Sequence, residues 1–310
     1  MAADDRQRIE KALAYIVANL DRPLVVAEVA KVARVSEFHF HRLFASIVGE
    51  SVGQFIARSR LETAALRLAY HPTRSVTDVA LASGYSSTAN FSKAFAAYFG
   101  CRPTDVRDPS RLQESRIGKL TSRYGKDFDP AGLYALPHAP DDVERKRRKE
   151  RVGHDLRFED RDETELACLA SPAGYELTSL VSLWDELVSR VRALGLSGES
   201  VDAYGIAHDS PTLTAPELCR YHACVPIPKT TPLSPPLFRA TIPAGRYAIV
   251  RHRGTVESLA DTYRDVYSVW FPESGLEPDD FHPFEHYVND APVDGHVDME
   301  LGFKVRPRRR

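Results

Sequence analysis

An all-α N-terminal domain of two helix-turn-helix units, followed by a C-terminal α+β domain of duplicated β-β-α-β-β units, is the multidomain fold that the sequence predicts. Three observations carry it. The segment FHFHRLFASIVG at 38–49 returns as ANFSKAFAAYFG at 89–100 with its Phe, basic, Phe and Gly placements kept. A second duplication, offset by about 80 residues, runs through 155–306, and a Pro- and charge-rich stretch without apolar periodicity lies between the two. At 310 residues, 43% of them hydrophobic, the chain is long enough for two packed cores.

The expected boundaries are 1–110 for the helical domain, 111–154 for a basic linker and 155–310 for the α+β domain. Charge divides near the same place: residues 1–125 carry 18 Lys and Arg against 12 Asp and Glu, whereas 154–310 carry 16 against 25. An acidic second half argues against that half binding nucleic acid itself. The RKRRKER run at 145–151 reads as a solvated linker, with an auxiliary phosphate contact as the alternative. Apolar runs are short and interrupted, and Met1 is followed by AADDRQRIE. Neither a signal peptide nor a membrane span is therefore expected, and a cytoplasmic location is. Cys101, Cys168, Cys219 and Cys224 have no CxxC spacing. Cys219 and Cys224 would point to opposite faces of a strand, so all four read as reduced packing residues.

The first helix is expected over 7–20, where Ile9, Leu13, Ile16 and Leu20 recur at helical spacing before DRP stops it. LVVAEVAKVA makes a short helix, and Ser36 is the N-cap of the quoted segment. There Phe40, Leu43, Phe44 and Ile47 share one face, leaving Phe38, His41, Arg42 and Ala45 on the other. Gly49 ends that helix, and 51–70 forms one continuous helix stopped by His71-Pro72. The pattern then restarts with a short helix from about 75, a turn at Gly84, and Ser86 or Ser87 as N-cap. In the second copy Phe91, Phe95, Tyr98 and Phe99 turn inward, while Thr88, Ala89, Ser92 and Lys93 face out with Asn90 at the flank.

A connecting helix of roughly 18 residues spans about 27 Å at the standard rise, near the roughly 34 Å between successive major-groove faces of a duplex. Two exposed helices could therefore enter adjacent groove segments. Arg42 and Lys93 hold matching places and can reach guanine O6 and N7, and the helix N-termini at Ser36 and Ser87 would present amides to phosphates.

These residues resemble the AraC/XylS family of transcription regulators. VAEVAKVARVSEFHFHRLFASIVGESVGQFIARSRLETAALRL carries the likeness, as does the more specific VTDVALASGYSSTANFSKAFAAYFGCRPTDVR. The resemblance spans residues 7–107. It implies base contacts from Phe38, His41 and Arg42 in the first reading helix and from Thr88, Asn90 and Lys93 in the second, with double-stranded promoter DNA as the partner. Ala89 and Lys93 stand where long polar side chains are common in the family, so weaker base discrimination is expected from the second helix.

The repeat in the second half reads as strands DLRFEDR and ELACLASPAGYE, helix SLVSLWDELVSRVRALGL, and strands AYGIAHDSP and CRYHACVPI. LFRATIPAG, RYAIVRHRG, TVESLADTYRDVYSVWF, FEHYVNDAP and VDMELGFKVR follow in the same order. Two such units would pair around a pseudo-twofold cleft. Alternation puts Glu285, Tyr287 and Asn289 on one face and Phe284 and His286 on the other. With YGIAHDSP aligned to EHYVNDAP, Tyr204 takes the place of Glu285 in the first repeat. An acid among aromatics, with Trp184, Tyr263, Tyr267 and Trp270 on the helices, suits a cationic or amphipathic ligand. The same four aromatics also fit core packing, whereas a strand acid flanked by Phe and Tyr is costly unless paired.

This half is similar to the GyrI-like effector-binding domain, through "GIAHDSP…CRYHACVPI", "IPAGRYAIVRHRGT" and "FEHYVND". The likeness covers about 155–306 and implies a cleft for small hydrophobic or cationic compounds with an acid on the strand matching Glu285. It leaves a hydrolase using that acid, or a protein-binding module, as alternatives. Joined to the AraC-like part, it implies transcription regulation modulated by a ligand. The ligand would act either on the orientation of the reader or on its contacts with RNA polymerase. HPFEH at 282–286 also matches a zinc-protease signature, but that chemistry needs both histidines on one face of a long helix, and Pro283 and the strand reading oppose it. No metal or cofactor is expected, and no nucleophile elbow or phosphate loop occurs, so the chain does not read as an enzyme.

Overall fold

Apolar spacing accounts for the first elements. In the computed structural model, which describes residues 3–70, 73–108, 111–112, 114–124, 142–195, 202–210, 213–279, 282–288 and 296–308, helix α1 (Ala3–Val17) turns Ile9, Leu13 and Ile16 to one side. They share one core with Val29 and Ala30 of α2 (Val26–Val32), Phe40, Leu43 and Phe44 of α3 (Glu37–Val48) and Phe55 of α4 (Val52–Tyr70). The pattern repeats in α5 (Val76–Ala82) and α6 (Thr88–Phe99), whose Phe91, Phe95 and Phe99 are buried.

Equivalent hydrogen bonds close the two turns: Val35 N–H donates to the Ala30 carbonyl at 3.2 Å and Tyr85 N–H to the Ala80 carbonyl at 3.1 Å. Arg34 and Gly84 hold the left-handed positions, at φ 55° and 77°. Only glycine fits the second. A β-carbon at Gly84 would lie 2.3 Å from the Leu20 carbonyl oxygen and 2.9 Å from the Arg60 guanidinium. Arg60 of α4 crosses there to donate to the carbonyls of Leu20 (2.9 Å) and Arg22 (2.6 Å). Elsewhere on α4, buried Arg58 lies between Glu50 (2.6 Å) and Glu62 (2.9 Å), and the Tyr98 hydroxyl of α6 donates to Glu62 at 2.8 Å. Such a buried pair is tolerable because the remaining carboxylate oxygen also has a donor. Past the expected boundary at 110, Leu112, Ser115 and Ile117 are buried as well. Arg116 of α7 (Arg116–Tyr124) lies 4.6 Å over the Tyr98 ring.

Two compact units divide the chain, mainly residues 1–123 and 139–310. The second begins with α8 (Asp142–Asp155), which contains the basic run 145–151. The run is solvated, with Lys146, Arg147, Lys149, Glu150 and Arg151 exposed, but it is a docked helix and not a loose connection: Val152 is buried in the core, and Arg148 and Arg151 pair with Asp265. One apolar residue and two long cationic stems suffice to dock the helix, which is why no hydrophobic periodicity announces it. Residues 125–141 of the expected linker lie outside the described residues.

The first β-β-α-β-β unit is β1 (Leu156–Arg161), β2 (Thr164–Ala170), α9 (Leu177–Ala193), β3 (Ala203–Ala207) and β4 (Tyr221–Pro226). The second starts with β5 (Phe238–Ile242), β6 (Gly245–Thr255) and α10 (Val256–Asp265). It runs through a π turn (Val266–Trp270), α11 (Phe271–Ser274) and the short β7 (Leu276–Pro278) into β8 (Phe284–Tyr287) and β9 (His296–Pro307). The strands form one antiparallel sheet in the order β1-β6-β9-β8-β3-β4-β2-β5, with β7 paired to the end of β9. That order is unchanged when each strand is replaced by its counterpart in the other repeat. The opening strand of each repeat lies in the other repeat's half, β1 on β6 and β5 on β2.

One face of the sheet carries two helix-covered cores. Ala167, Leu169, Ala223 and Val225 pack with Leu183, Leu187 and Val191 of α9. Ala248, Val250, Leu301 and Phe303 pack with Leu259 and Tyr263 of α10. Leu166, Cys168, Tyr204, Ile206, Cys224, Tyr247, Ile249 and Phe284 line the opposite face. There the reading of four reduced cysteines is corrected: Cys168 and Cys224 form a disulfide, because the β2–β4 register sets them directly opposite one another. Alternation within one strand could exclude a Cys219–Cys224 pair but said nothing of a strand 56 residues away. Among the described residues, no helix is long and apolar enough to cross a membrane.

Candidate functional site

In the first unit, the exposed faces of α3 and α6 collect the residues singled out for DNA. Ser36 Oγ accepts from the His39 N–H at 3.3 Å and Ser87 Oγ from the Asn90 N–H at 3.2 Å, so both serines are N-caps that meet orphan amides. With Phe40, Leu43 and Phe44 turned into the core, Phe38 is left 76% exposed, and His41 and Arg42 are exposed beside it. On α6, Asn90 and Lys93 are exposed. Thr88 is half-buried, and its hydroxyl donates to Thr77 Oγ1 at 3.2 Å. The two faces differ in chemistry. That of α3 carries an aromatic ring, a guanidinium and also His39, an exposed residue that the helical-face reading left out. That of α6 is mostly Ala89, Ala96 and Ala97 around Asn90 and Lys93.

In the second unit, the seam between the repeats is the β3–β8 pair, where Gly205 stands opposite Glu285. Glu285 is 6% exposed. The Tyr287 hydroxyl donates to its Oε2 at 3.0 Å and the Tyr263 hydroxyl, from α10, to its Oε1 at 3.4 Å. Tyr287 is thereby committed as donor to the acid, so the Tyr221 hydroxyl, 3.2 Å away, donates to Tyr287. Trp184 of α9 closes the chain: its ring meets Tyr287 edge-on at 5.3 Å and its indole is hydrogen-bonded to Tyr221. Tyr287 and Tyr263 thus hold the carboxyl group, with Tyr221 and Trp184 behind them.

Burial raises the Glu285 pKa above the usual carboxylate range, and the Tyr287 and Tyr263 hydroxyls oppose that shift. Burial and the neighbouring acid push the Tyr287 hydroxyl well above its ordinary value, so it stays protonated as a donor. Among the described residues, no Lys or Arg counters the charge on Glu285. Space for the acid comes from Gly205: a β-carbon there would lie 2.3 Å from the Tyr221 hydroxyl and 2.9 Å from Glu285 Oε2.

Not every expected residue joins this group. Tyr204 lies on the opposite sheet face, stacked on His286 at 4.6 Å with its hydroxyl accepting from Arg161. Placing it as the counterpart of Glu285 is a correction with a simple cause. The alignment is offset by an odd number of residues, and a one-residue slip turns every strand side chain to the other face. The ring neighbours of Trp270 are Phe158 and Phe271, and Tyr267 packs on Phe271 and Phe303. Asn289 lies outside the described residues. Tyr221 and Gly205 are the members that the sequence reading missed, since the roles of both come from cross-strand register.

The HPFEH histidines also part. His286 lies beside Tyr204, while His282 packs against His208 at 5.0 Å, which in turn is 2.9 Å from His222 between ring nitrogens. Burial lowers the His282 pKa to about 4 and that of His208 well below its ordinary value, so both imidazoles are neutral. Among the described residues, no group of three or more His, Cys, Asp or Glu could hold a metal ion.

Comparisons with known proteins match both units. Residues 154–306 match a family described as the GyrI-like small molecule binding domain, and residues 29–108 match a helix-turn-helix domain. Regulatory protein SoxS of Escherichia coli K12 is 32% identical over 99 residues, covering 32% of this chain and 92% of SoxS. Transcriptional regulator Rob of Salmonella typhimurium LT2 is 31% identical over 120 residues, covering 35% of this chain and 41% of Rob. An AraC-type transcriptional regulator from Chromobacterium violaceum, a solved structure, has 27% identity and a TM-score of 0.32. It is covered over 96% of its length by 35% of this chain.

Proposed function

This chain belongs to the AraC/XylS family of transcription regulators and carries a GyrI-like small-molecule-binding domain, and from that premise we propose that α3 and α6 read promoter DNA under the control of an amphipathic cation bound at Glu285. For the DNA half, the support is the pair of capped helices whose exposed faces carry His41 and Arg42 in α3 and Asn90 and Lys93 in α6, joined by the 19-residue α4. A helix of that length spans about 28 Å, close to one duplex repeat of roughly 34 Å. Phosphate contacts fall to the helix N-termini at Ser36 and Ser87. Base contacts fall to Phe38, His41 and Arg42, with Thr88, Asn90 and Lys93 from the second helix.

For the ligand half, one observation carries the reading: a buried carboxyl group, held by Tyr263 and Tyr287 with Tyr221 and Trp184 against Tyr287, and with no cation among the described residues to neutralise it. A ligand cation would supply the missing charge, and the ring faces would hold its apolar body. The test uses duplexes selected from a random pool at fixed salt, then measures their affinity with and without tetraphenylphosphonium, a lipophilic aromatic cation. A selected site whose affinity shifts severalfold with the cation supports the reading, with the compound recovered unchanged. Chemical turnover of an added compound at Glu285 would instead favour a hydrolase.

A further inference from the structure

Helix α8 is the element by which the chain enters the second unit, and it is held at two points that flank the π turn. Ahead of the turn, Arg151 Nε donates to Asp265 Oδ2 at 3.0 Å, its Nη2 contacts the same oxygen, and Arg148 Nη1 lies 3.5 Å from Oδ1. Beyond the turn, Lys149 pairs with Glu273 of α11. Asp265 is 1% exposed, and its Oδ1, which has no hydrogen-bond partner, is met only by the longer ion pair to Arg148. Tyr263, which donates to Glu285, precedes Asp265 by two residues on α10. Side chains two apart on a helix point to nearly opposite sides. Tyr263 accordingly faces the seam while Asp265 meets α8.

A π turn carries an extra residue within a helical run and is a place where a helix changes register or direction. This one, Val266–Trp270, begins directly after Asp265. Tyr263 and Asp265 belong to the same helix, whereas Glu273 sits on the far side of the turn. We propose that the grip of Arg148 and Arg151 on Asp265 is a latch through which the charge state of the Glu285 seam sets the docking of α8. The proposal rests on reading that seam as the effector site. A cation at Glu285 satisfies the carboxylate, loosens the long Tyr263 hydrogen bond, and shifts the strain between the two anchors of α8.

Hydrogen exchange of the α8 amides in the full-length protein tests this without a ligand, using Glu285→Gln, Asp265→Asn and the double variant. Glu285→Gln removes the seam charge at nearly constant shape and is expected to change α8 exchange by about threefold or more. In the Asp265→Asn background the same substitution is expected to change nothing further. Unchanged α8 exchange in Glu285→Gln overturns the latch, as does an equal change in both backgrounds. If Asp265→Asn fails to fold, Arg151→Gln takes its place, since the Arg151 side chain is 54% exposed. Equilibrium dialysis of the wild-type protein with tetraphenylphosphonium is read separately. Failure to retain the cation counts against the effector reading alone, because the exchange cycle contains no ligand.

Discussion

The two duplications differ in where their copies part. In the first unit the buried parts agree: Phe40–Phe44 and Phe91–Phe95 pack at 5.5 and 5.4 Å, Ser36 and Ser87 cap the same way, and Gly49 and Gly100 end the helices at φ 83° and 71°. The copies differ on their exposed faces. In the second unit the sheet order is symmetric, yet the copies differ at the buried centre, where Gly205 faces Glu285. A pair of readers needs one scaffold and two surfaces, whereas a cleft built on a pseudo-twofold needs one acid and room for it. Divergence falls outside in one case and inside in the other, which is where the proposed function puts the ligand of each unit.

The largest effect expected from testing this contrast is at the reading faces. Arg42→Ala with Lys93→Ala removes the two proposed base contacts, each expected to be worth about 1–3 kcal/mol. Specific affinity in gel-shift titrations falls by roughly 30-fold or more, while salt-sensitive non-specific binding persists. Arg42→Ala alone accounts for the greater part; equal losses from the two single variants would contradict the asymmetry between α3 and α6.

Glu285→Gln comes next, reducing cation retention in dialysis by about 30-fold, the cost of losing one partner of a buried charge pair. Its pH signature has two opposite signs. Burial raises the Glu285 pKa, so cation binding, which needs the carboxylate, weakens as pH falls through the raised value and levels off above it. Without ligand, the stability that favours the neutral acid is complete below the unfolded carboxyl value of about 4.3 and is lost as pH rises through the raised value. A cation affinity that is flat over that window in the wild type would remove Glu285 from the binding step.

Gly205→Ala drives a β-carbon against Tyr221 and Glu285 and is expected to cost about 1–3 kcal/mol in denaturant unfolding, as overpacking does. Unchanged stability would mean that the seam has more space than its contacts imply. The smallest effects test the sameness of the first unit. Ser36→Ala and Ser87→Ala should each cost about 1 kcal/mol and resemble each other closely, and a large disparity would show that the caps are not equivalent.

Periodicity made much of this architecture legible. In each copy the Ser cap, the inward Phe residues and the terminal glycine lie within one short stretch, Ser36 to Gly49 and Ser87 to Gly100, and local spacing is what sequence displays. The order of strands and helices in the second unit was legible for the same reason. Features settled by strand register were not. Tyr204 and Glu285 looked equivalent until pairing put them on opposite faces, and Cys168 met Cys224 across strands far apart in sequence. Tyr221 entered the seam from β4 without any local mark. The basic helix α8 escaped notice because its docking depends on a buried aspartate more than a hundred residues later.

The exchange of opening strands has a consequence for how the second unit is made. During synthesis β1 leaves the ribosome long before β6, the strand it pairs with, Leu156 waiting for Val250. Neither repeat can complete its half of the sheet alone, so a chain interrupted after β4 exposes β1 as an unpaired strand open to association with other chains. Folding of this unit is therefore governed by long-range closure, which makes it slower than the helical unit, whose contacts are mostly local. On a translating ribosome, the unit with the exposed α3 and α6 is finished first, and the unit with the buried acid can close only once β6 and β9 have emerged.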